Sequence, residues 1–463
     1  MKTILMICHA YPPVPGVGSL RNLGFSRHLP SFGWQPTVLT TQVPPTQTLE
    51  EQALLNFIPE TIKIIRTPNG FQLNPKNVII KILYFLGIIS KDNASQIASG
   101  HSIYSGLPSF LSRTIPLFRL IFWPEGETIW TFTTLLKALS IVKDFDCIYS
   151  SSPPAACHVV ASLLKKITKK PWIADMRDPL VKHHYYSTDL SSPINDAYKS
   201  IRRFYKAQHA AIERDIVTHA DKVIVVSPEF KDMLSTSYPE VPPDKFISIT
   251  NGYDEDIVSH LKNTFLKQYP NNQLSKLKIT LTGTIYAPHS YLPLLRTIKA
   301  MKNSQTITTT NFELKFVGHD FANLHQIIRN DGIDDVIKIV PRVSFAKAYE
   351  FMFEADILLV VVEKQLTNVY FHAKLFPYMI IGKPILCLSA GNNPVTEIIK
   401  SCRLGNVVPC DNELAIQSTI AQYIDKFSSG RLEKISPTSQ IMNFDRKTLT
   451  KNLAELLDDE SIL

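Results

Sequence analysis

The sequence predicts an α/β protein of two doubly wound domains, each a parallel sheet with helices on both faces, and three observations carry that prediction. The chain has 463 residues, too many for one ordinary hydrophobic core and enough for two domains of roughly 200 residues each. Short apolar runs alternate with helical patterns almost throughout, as in a series of βαβ units. The strand-like runs stop once, across the polar stretch 253–276, and then resume. The expected division is a first domain over 1–252, a linker over 253–276, a second domain over 277–440 and a C-terminal helix over 441–463 placed to pack back toward the first domain.

The first series of strands is ILMIC (4–8), TVLTT (37–41), IKII (62–65), CIYSS (147–151), PWIAD (171–175), KVIVVS (222–227) and FISIT (246–250). The second is LKITLTG (277–283), LKFVG (314–318), VIKIV (336–340), DILLVVV (356–362), PILCLS (384–389) and NVVP (406–409). Runs so continuous in Val, Ile and Leu suit strands buried on both faces. Ligands of such sheets sit at the carboxyl ends of the strands, so two domains facing each other put the site in the cleft between them.

Composition removes several function classes. The net charge is +8 with a pI near 9.0, which favours acidic partners. Only 19% of residues are charged, with no dense basic block and no nucleic-acid-binding signature, so no nucleic-acid partner is expected. The six cysteines lack metal-ligand or redox spacing and read as reduced core residues of a cytoplasmic protein. The N-terminal MKTILMICHAYPP reads as a first strand rather than a signal peptide, its apolar run being too short. Asp144 and Asp146 precede a strand at its amino end, the wrong end for a metal site.

One region departs from the scheme. Within an insertion at about 67–130, NVIIKILYFLGIIS (77–90) and LPSFLSRTIPLFRLIFWP (107–124) are apolar with a few basic residues. Neither reaches the ~20 apolar residues of a membrane span. The segment reads either as a peripheral contact with the inner membrane face, through Lys81, Arg113 and Arg119, or as a helical lid on the sheet.

Three segments carry the candidate chemistry. PWIADMRDPL (171–180) runs a strand into Asp175, Arg177 and Asp178, and charges at a buried strand end need partners. In the first βα turn, AYPPVPGVGSLRNLGFSRHL (10–29), Gly16 and Gly18 let backbone approach a ligand while Arg21 adds a positive charge. Arg21 stands where a dinucleotide fingerprint needs its third glycine. In YFHAKLFPYMIIGKPIL (370–386), Lys374 opens a short helix, and Pro377 suits its first turn.

Together these segments resemble the glycosyltransferases of the two-Rossmann-domain GT-B fold, specifically family 4, or group 1, of the nucleotide-sugar-dependent enzymes. The resemblance covers nearly the whole chain and rests also on SSSPPAACH, ADKVIVVS (220–227), ITNGYD (249–254), LTGTIY (281–286) and EADILLVV (354–361), in family-like order. It implies transfer of a sugar from a nucleotide-sugar donor to a lipid-linked or polysaccharide acceptor in cell-surface glycan synthesis, with retention at the anomeric carbon and no metal or cofactor. Gly16, Gly18, Gly283, Thr284, Arg342, Lys374, Leu375 and Tyr378 become candidates for donor binding. Arg21, Ser152, His158 and Asn251 become candidates for acceptor binding. Asp175, Arg177 and Asp178 become candidates for catalysis, falling where many relatives carry a histidine.

Departures from the pattern keep other classes open. Two glutamates usual around the last donor-binding helix are Val369 and Pro377 here, and the usual Arg and Lys after the second domain's first strand are Thr284 and Ile285. Each lost charged hydrogen bond weakens donor binding by about 1.5 to 3 kcal/mol. The alternatives are a weakly active sugar-nucleotide-binding scaffold and a nucleotide-sugar epimerase of the same fold.

Overall fold

The computed structural model describes residues 1–14, 16–42, 53–69, 127–181, 196–268, 276–283, 291–318, 322–362, 373–436 and 438–459. Thr284, Val369 and nearly all of the expected insertion lie outside the described residues. The first sheet is built from β1 (Lys2–Cys8), β2 (Trp34–Thr41), β3 (Lys63–Thr67), β4 (Cys147–Ser152), β5 (Trp172–Met176), β6 (Lys222–Val225) and β7 (Phe246–Ser248). Its order is β3-β2-β1-β4-β5-β6-β7, and every pairing is parallel. The second sheet comprises β8 (Leu277–Thr282), β9 (Phe312–Val317), β10 (Ile337–Val340), β11 (Ile357–Val362), β12 (Ile385–Ser389) and β13 (Gly405–Pro409). It is also parallel, in the order β10-β9-β8-β11-β12-β13. These are the two doubly wound sheets that the sequence predicts.

Strand alternation explains how each sheet buries both faces. Along β1, Leu5 and Ile7 join the core on one face, while Ile4, Met6 and Cys8 join the core on the other. In the second sheet, Ile357, Leu359 and Val361 pack on one side, and Leu358, Val360 and Val362 on the opposite side. A period of two therefore serves two apolar layers at once, which is why these strands read as unbroken apolar runs. Strand ends differ from the sequence expectation where side chains recruit the backbone for a helix. The run expected to reach Ser227 stops at Val225, because the Ser227 hydroxyl accepts the Phe230 N–H and caps the helix Pro228–Ser237.

The polar stretch after the first sheet contains the helix Glu255–Gln268. The last helix, Arg446–Leu457, lies against the first helix, Val17–His28, and sends Leu449, Leu453, Leu456 and Leu457 into the core of the first sheet. Gly24 permits that approach, since a β-carbon there would lie 1.9 Å from Cδ of Arg446. All six cysteines are buried thiols outside any disulfide. No helix among the described residues is long and apolar enough to cross a membrane.

Candidate active site

Each sheet reverses its winding once, between β1 and β4 and between β8 and β11. At such a point the connections diverge to opposite faces and leave a crevice beyond the carboxyl ends of the strands. Most of the candidate residues gather at these two crevices.

In the first, the acidic and basic cluster divides. Asp175, the fourth residue of β5, is wholly buried. Its two carboxylate oxygens accept from Nη2 and Nε of Arg21, both at 2.8 Å, from the Tyr149 hydroxyl at 2.6 Å and from Ser151 at 3.0 Å. Burial raises the Asp175 pKa, but the Arg21 pair and the Tyr149 bond outweigh it and hold the carboxyl below its ordinary value. Arg21 also donates to the carbonyls of Thr250 and Ile249, tying the first helix to β5 and the end of β7. This corrects two expectations. Arg21 is 1% exposed and Asp175 is 0% exposed, so neither reaches an acceptor or performs chemistry on one. The guanidinium is consumed because a buried carboxylate demands a bidentate partner.

Arg177 and Asp178 remain half-buried at the strand end. The Arg177 Nε donates to the Ser152 carbonyl, and its guanidinium lies against the start of the first helix, where a Gly18 β-carbon would sit 2.4 Å from Nη2. Gly18 is thus needed for the arginine's approach. Gly16, exposed and at φ 132°, begins the same helix without a side-chain cap. Ser152 is buried beside Arg177, and Asn251 is buried just beyond the Thr250 carbonyl held by Arg21. His158 departs from expectation, since its ring is wholly buried and Nδ1 pairs with Ser150 Oγ at 2.8 Å in the core beside Trp172. It packs the helix Ala156–Thr168 onto the sheet rather than facing an acceptor.

At the second crevice the described residues are fewer. Gly283, at φ 97°, follows β8, and its missing β-carbon would lie 3.5 Å from Cε and 3.6 Å from Nζ of Lys374. Gly318, just beyond β9, must also be glycine, because a β-carbon would meet the Gly283 carbonyl at 2.4 Å. Lys374 immediately precedes the helix Leu375–Ile381. Leu375 and Tyr378, expected on the donor, are buried. The Tyr378 hydroxyl accepts the Thr282 N–H at 2.8 Å, and burial pushes its pKa up to about 12. Both residues therefore seat the helix that carries Lys374 and do not line an open face. Arg342 is exposed after the edge strand β10, with β9 between it and β8.

The rejected acidic run sits where its position implied. Asp146 precedes β4 and accepts the Thr3 N–H at 2.7 Å at the amino edge of the sheet. No cluster able to hold a metal occurs among the described residues.

One pair was not singled out from sequence. His9 directly follows β1, and its Nε2 lies 3.2 Å from Oε2 of Glu127, with the ring edge-on to Trp130 at 4.8 Å. The strand-like run ending in a histidine was the available signal, but its partner is more than a hundred residues away in the chain.

Two parallel sheets, each with a crevice at its carboxyl edge, are the architecture of the GT-B fold. Residues 103–257 match the family described as Glycosyltransferase Family 4, and the chain as a whole has the GT-B fold of the solved structures it is similar to. Solved structures of similar fold include sucrose-phosphate synthase from Thermosynechococcus elongatus, with 13% identity, TM-score 0.60 and coverage of 99% of this chain and 98% of that one. Anabaena HepE in complex with UDP and glucose gives 14% identity, TM-score 0.58 and 99% coverage of both chains. UDP-GlcNAc 2-epimerase from Methanocaldococcus jannaschii gives 11%, 0.52 and 99% of both. No curated protein matches the chain.

Proposed function

We propose that this protein is a glycosyltransferase, which moves a sugar from a nucleotide-sugar donor, held on the second domain, to a lipid-linked or polysaccharide acceptor held on the first, in cell-surface glycan synthesis. The observation that carries the reading is the second crevice, where backbone at Gly283 and Gly318 is bare and the Lys374 ammonium lies within reach. Breaking a glycosyl phosphate bond puts growing negative charge on the departing diphosphate, and a cation beside open backbone stabilises that charge most in the transition state. HepE, of similar fold, is described in complex with UDP and glucose, which supports a nucleotide-sugar partner. Retention without metal or cofactor follows from the family resemblance.

On the first domain, Arg177 and Asp178 lie on the acceptor side, and Gly16 and Gly18, the latter beside Arg177, serve the donor. The helix Thr128–Ile141 exposes Ile129, Phe132 and Leu136, and the helix packed beside it exposes Leu163 and Ile167. Lys137 is exposed on the first of these helices, while Lys166 on the second pairs with Asp215, and the apolar strip suits peripheral contact with the cytoplasmic face of a membrane. The test is a thermal-shift screen of nucleotides and nucleotide sugars, followed by product analysis. Stabilisation by one nucleoside diphosphate and acceptor-dependent release of it support the reading. If no nucleotide raises the melting temperature, the donor assignment is wrong. Conversion of the donor to an epimer without any acceptor would favour the epimerase alternative, whose fold is also similar.

A further inference from the structure

We propose that His9 is an acceptor-positioning residue, which binds a hydroxyl of a sugar-bearing acceptor through Nδ1 while Glu127 sets the state of its ring. The inference rests on the glycosyl-transfer reading and adds to it the chemistry of the acceptor face. His9 is the first residue beyond β1, at the point where the first sheet reverses its winding. Its backbone is pinned from both sides: the N–H donates to Cys157 Sγ at 3.3 Å, and the carbonyl accepts from Thr40 Oγ1 at 3.0 Å. The ring is held edge-on by Trp130. A side chain so fixed presents one defined edge.

That edge is Nδ1. Nε2 is buried and makes no in-line hydrogen bond, but the Glu127 carboxylate lies 3.2 Å from it. A lone pair there would face negative charge, whereas an N–H faces it favourably, so the ring carries its proton on Nε2. Nδ1, which bonds to no described residue and is not among the buried atoms, keeps its lone pair on the part of the side chain that remains 19% exposed. An imidazole nitrogen that carries no proton accepts from a hydroxyl and offers nothing to an anion. It therefore suits a sugar hydroxyl. In a retaining transfer the attacking hydroxyl gives its proton to the departing diphosphate, so His9 holds a neighbouring hydroxyl and takes no proton.

The experiment compares His9→Ala, His9→Asn and His9→Gln with the unaltered protein, using UDP-glucose as donor and octyl glucoside as acceptor probe. Asparagine places a polar atom where Nδ1 was, and glutamine places one where Nε2 was. The expected result is a rise of about five- to tenfold in acceptor KM for the alanine and glutamine variants. The asparagine variant should stay within about twofold of the unaltered protein, the hydrogen bond being largely restored. Donor KM and the slow transfer to water should be unchanged, and thermal unfolding shows that each variant is folded. Rescue by glutamine instead of asparagine, or unchanged acceptor KM in all three, overturns the proposal. A second arm does not need turnover: nitrogen NMR of the histidine-labelled protein should show His9 protonated at Nε2, with that preference weakened in Glu127→Gln. Protonation at Nδ1 overturns the proposal outright. Absence of UDP-glucose turnover in the unaltered protein counts against the transfer reading alone.

Discussion

Among the described residues, charge at the carboxyl edge of the first sheet is crowded and largely neutralised within the protein, whereas at the corresponding edge of the second Lys374 stands beside glycine backbone. Arg21 and Asp175 hold each other with two bonds and recruit Tyr149, Ser151 and two carbonyls besides. Gly283 and Gly318 bring strand ends together with no side chain between them, and Lys374 stands over the first. Both edges descend from the same doubly wound topology. The difference teaches that a strand-end charge is either part of the scaffold or part of the site, and that burial decides which. Asp175 and Arg177 are two residues apart and fall on opposite sides of that division.

The largest effect expected from breaking this contrast is on stability. Asp175→Asn leaves Arg21 buried without its counter-charge, and loss of one partner of such a pair destabilises by about 3 to 5 kcal/mol, to be read from urea unfolding. In the unaltered protein the Asp175 pKa is lower when folded than when unfolded. Its contribution is therefore complete above about pH 4, the unfolded value, and drains away as pH falls through the lower folded value. Stability followed by unfolding at a series of pH values should thus show this loss on the acid side and none from this group around neutrality.

Next in size is Lys374→Ala. On the proposed reading Lys374 meets the donor diphosphate, and its loss should lower kcat/KM for the donor by roughly ten- to a hundredfold, with the unfolding midpoint nearly unchanged. Steady-state kinetics at fixed acceptor measures it, and a large stability loss with intact kinetics would move Lys374 to the scaffold side of the division. A smaller effect is expected from Gly18→Ala. The added methyl would meet the Arg177 guanidinium at 2.4 Å, and a flexible side-chain end yields, so the fold should persist while Arg177 is displaced. A loss of about fivefold in acceptor use, the worth of one ordinary hydrogen bond, is the expected reading. Smallest is Arg342→Ala. Its exposure and its place after the edge strand predict kinetics within about twofold and stability within about 0.5 kcal/mol.

Much of the architecture was legible because strands buried on both faces must be apolar throughout. ILMIC and DILLVVV could hardly belong to anything but the middle of a parallel sheet, and β1 and β11 indeed flank the two reversal points. The glycines were legible in part. Gly18 and Gly283 were marked as places of close approach, but what approaches is an arginine from β5 in one case and a lysine before a later helix in the other. Gly318 was passed over because its constraint comes from the neighbouring strand. The site charges were the least legible. Arg21 looked like a cation beside an anion site, since its partner lies 154 positions away. His158 looked like a helix-start ligand, and Leu375 and Tyr378 like donor contacts, because periodicity does not say which face of a short helix turns inward.

The order of residues was enough to specify two parallel sheets and the polar stretch after β7 at which one series of strands gives way to the other. Those features follow from local patterns of apolar and turn-forming residues, which need no distant partner to be read. Tertiary structure alone assigned Asp175 and Arg21 to the scaffold, left Arg177 and Lys374 at the crevices, and joined His9 to Glu127. Each of those outcomes depends on which groups burial brings together, and the energy of a charge or a lone pair is set by neighbours that the chain supplies from far along its length.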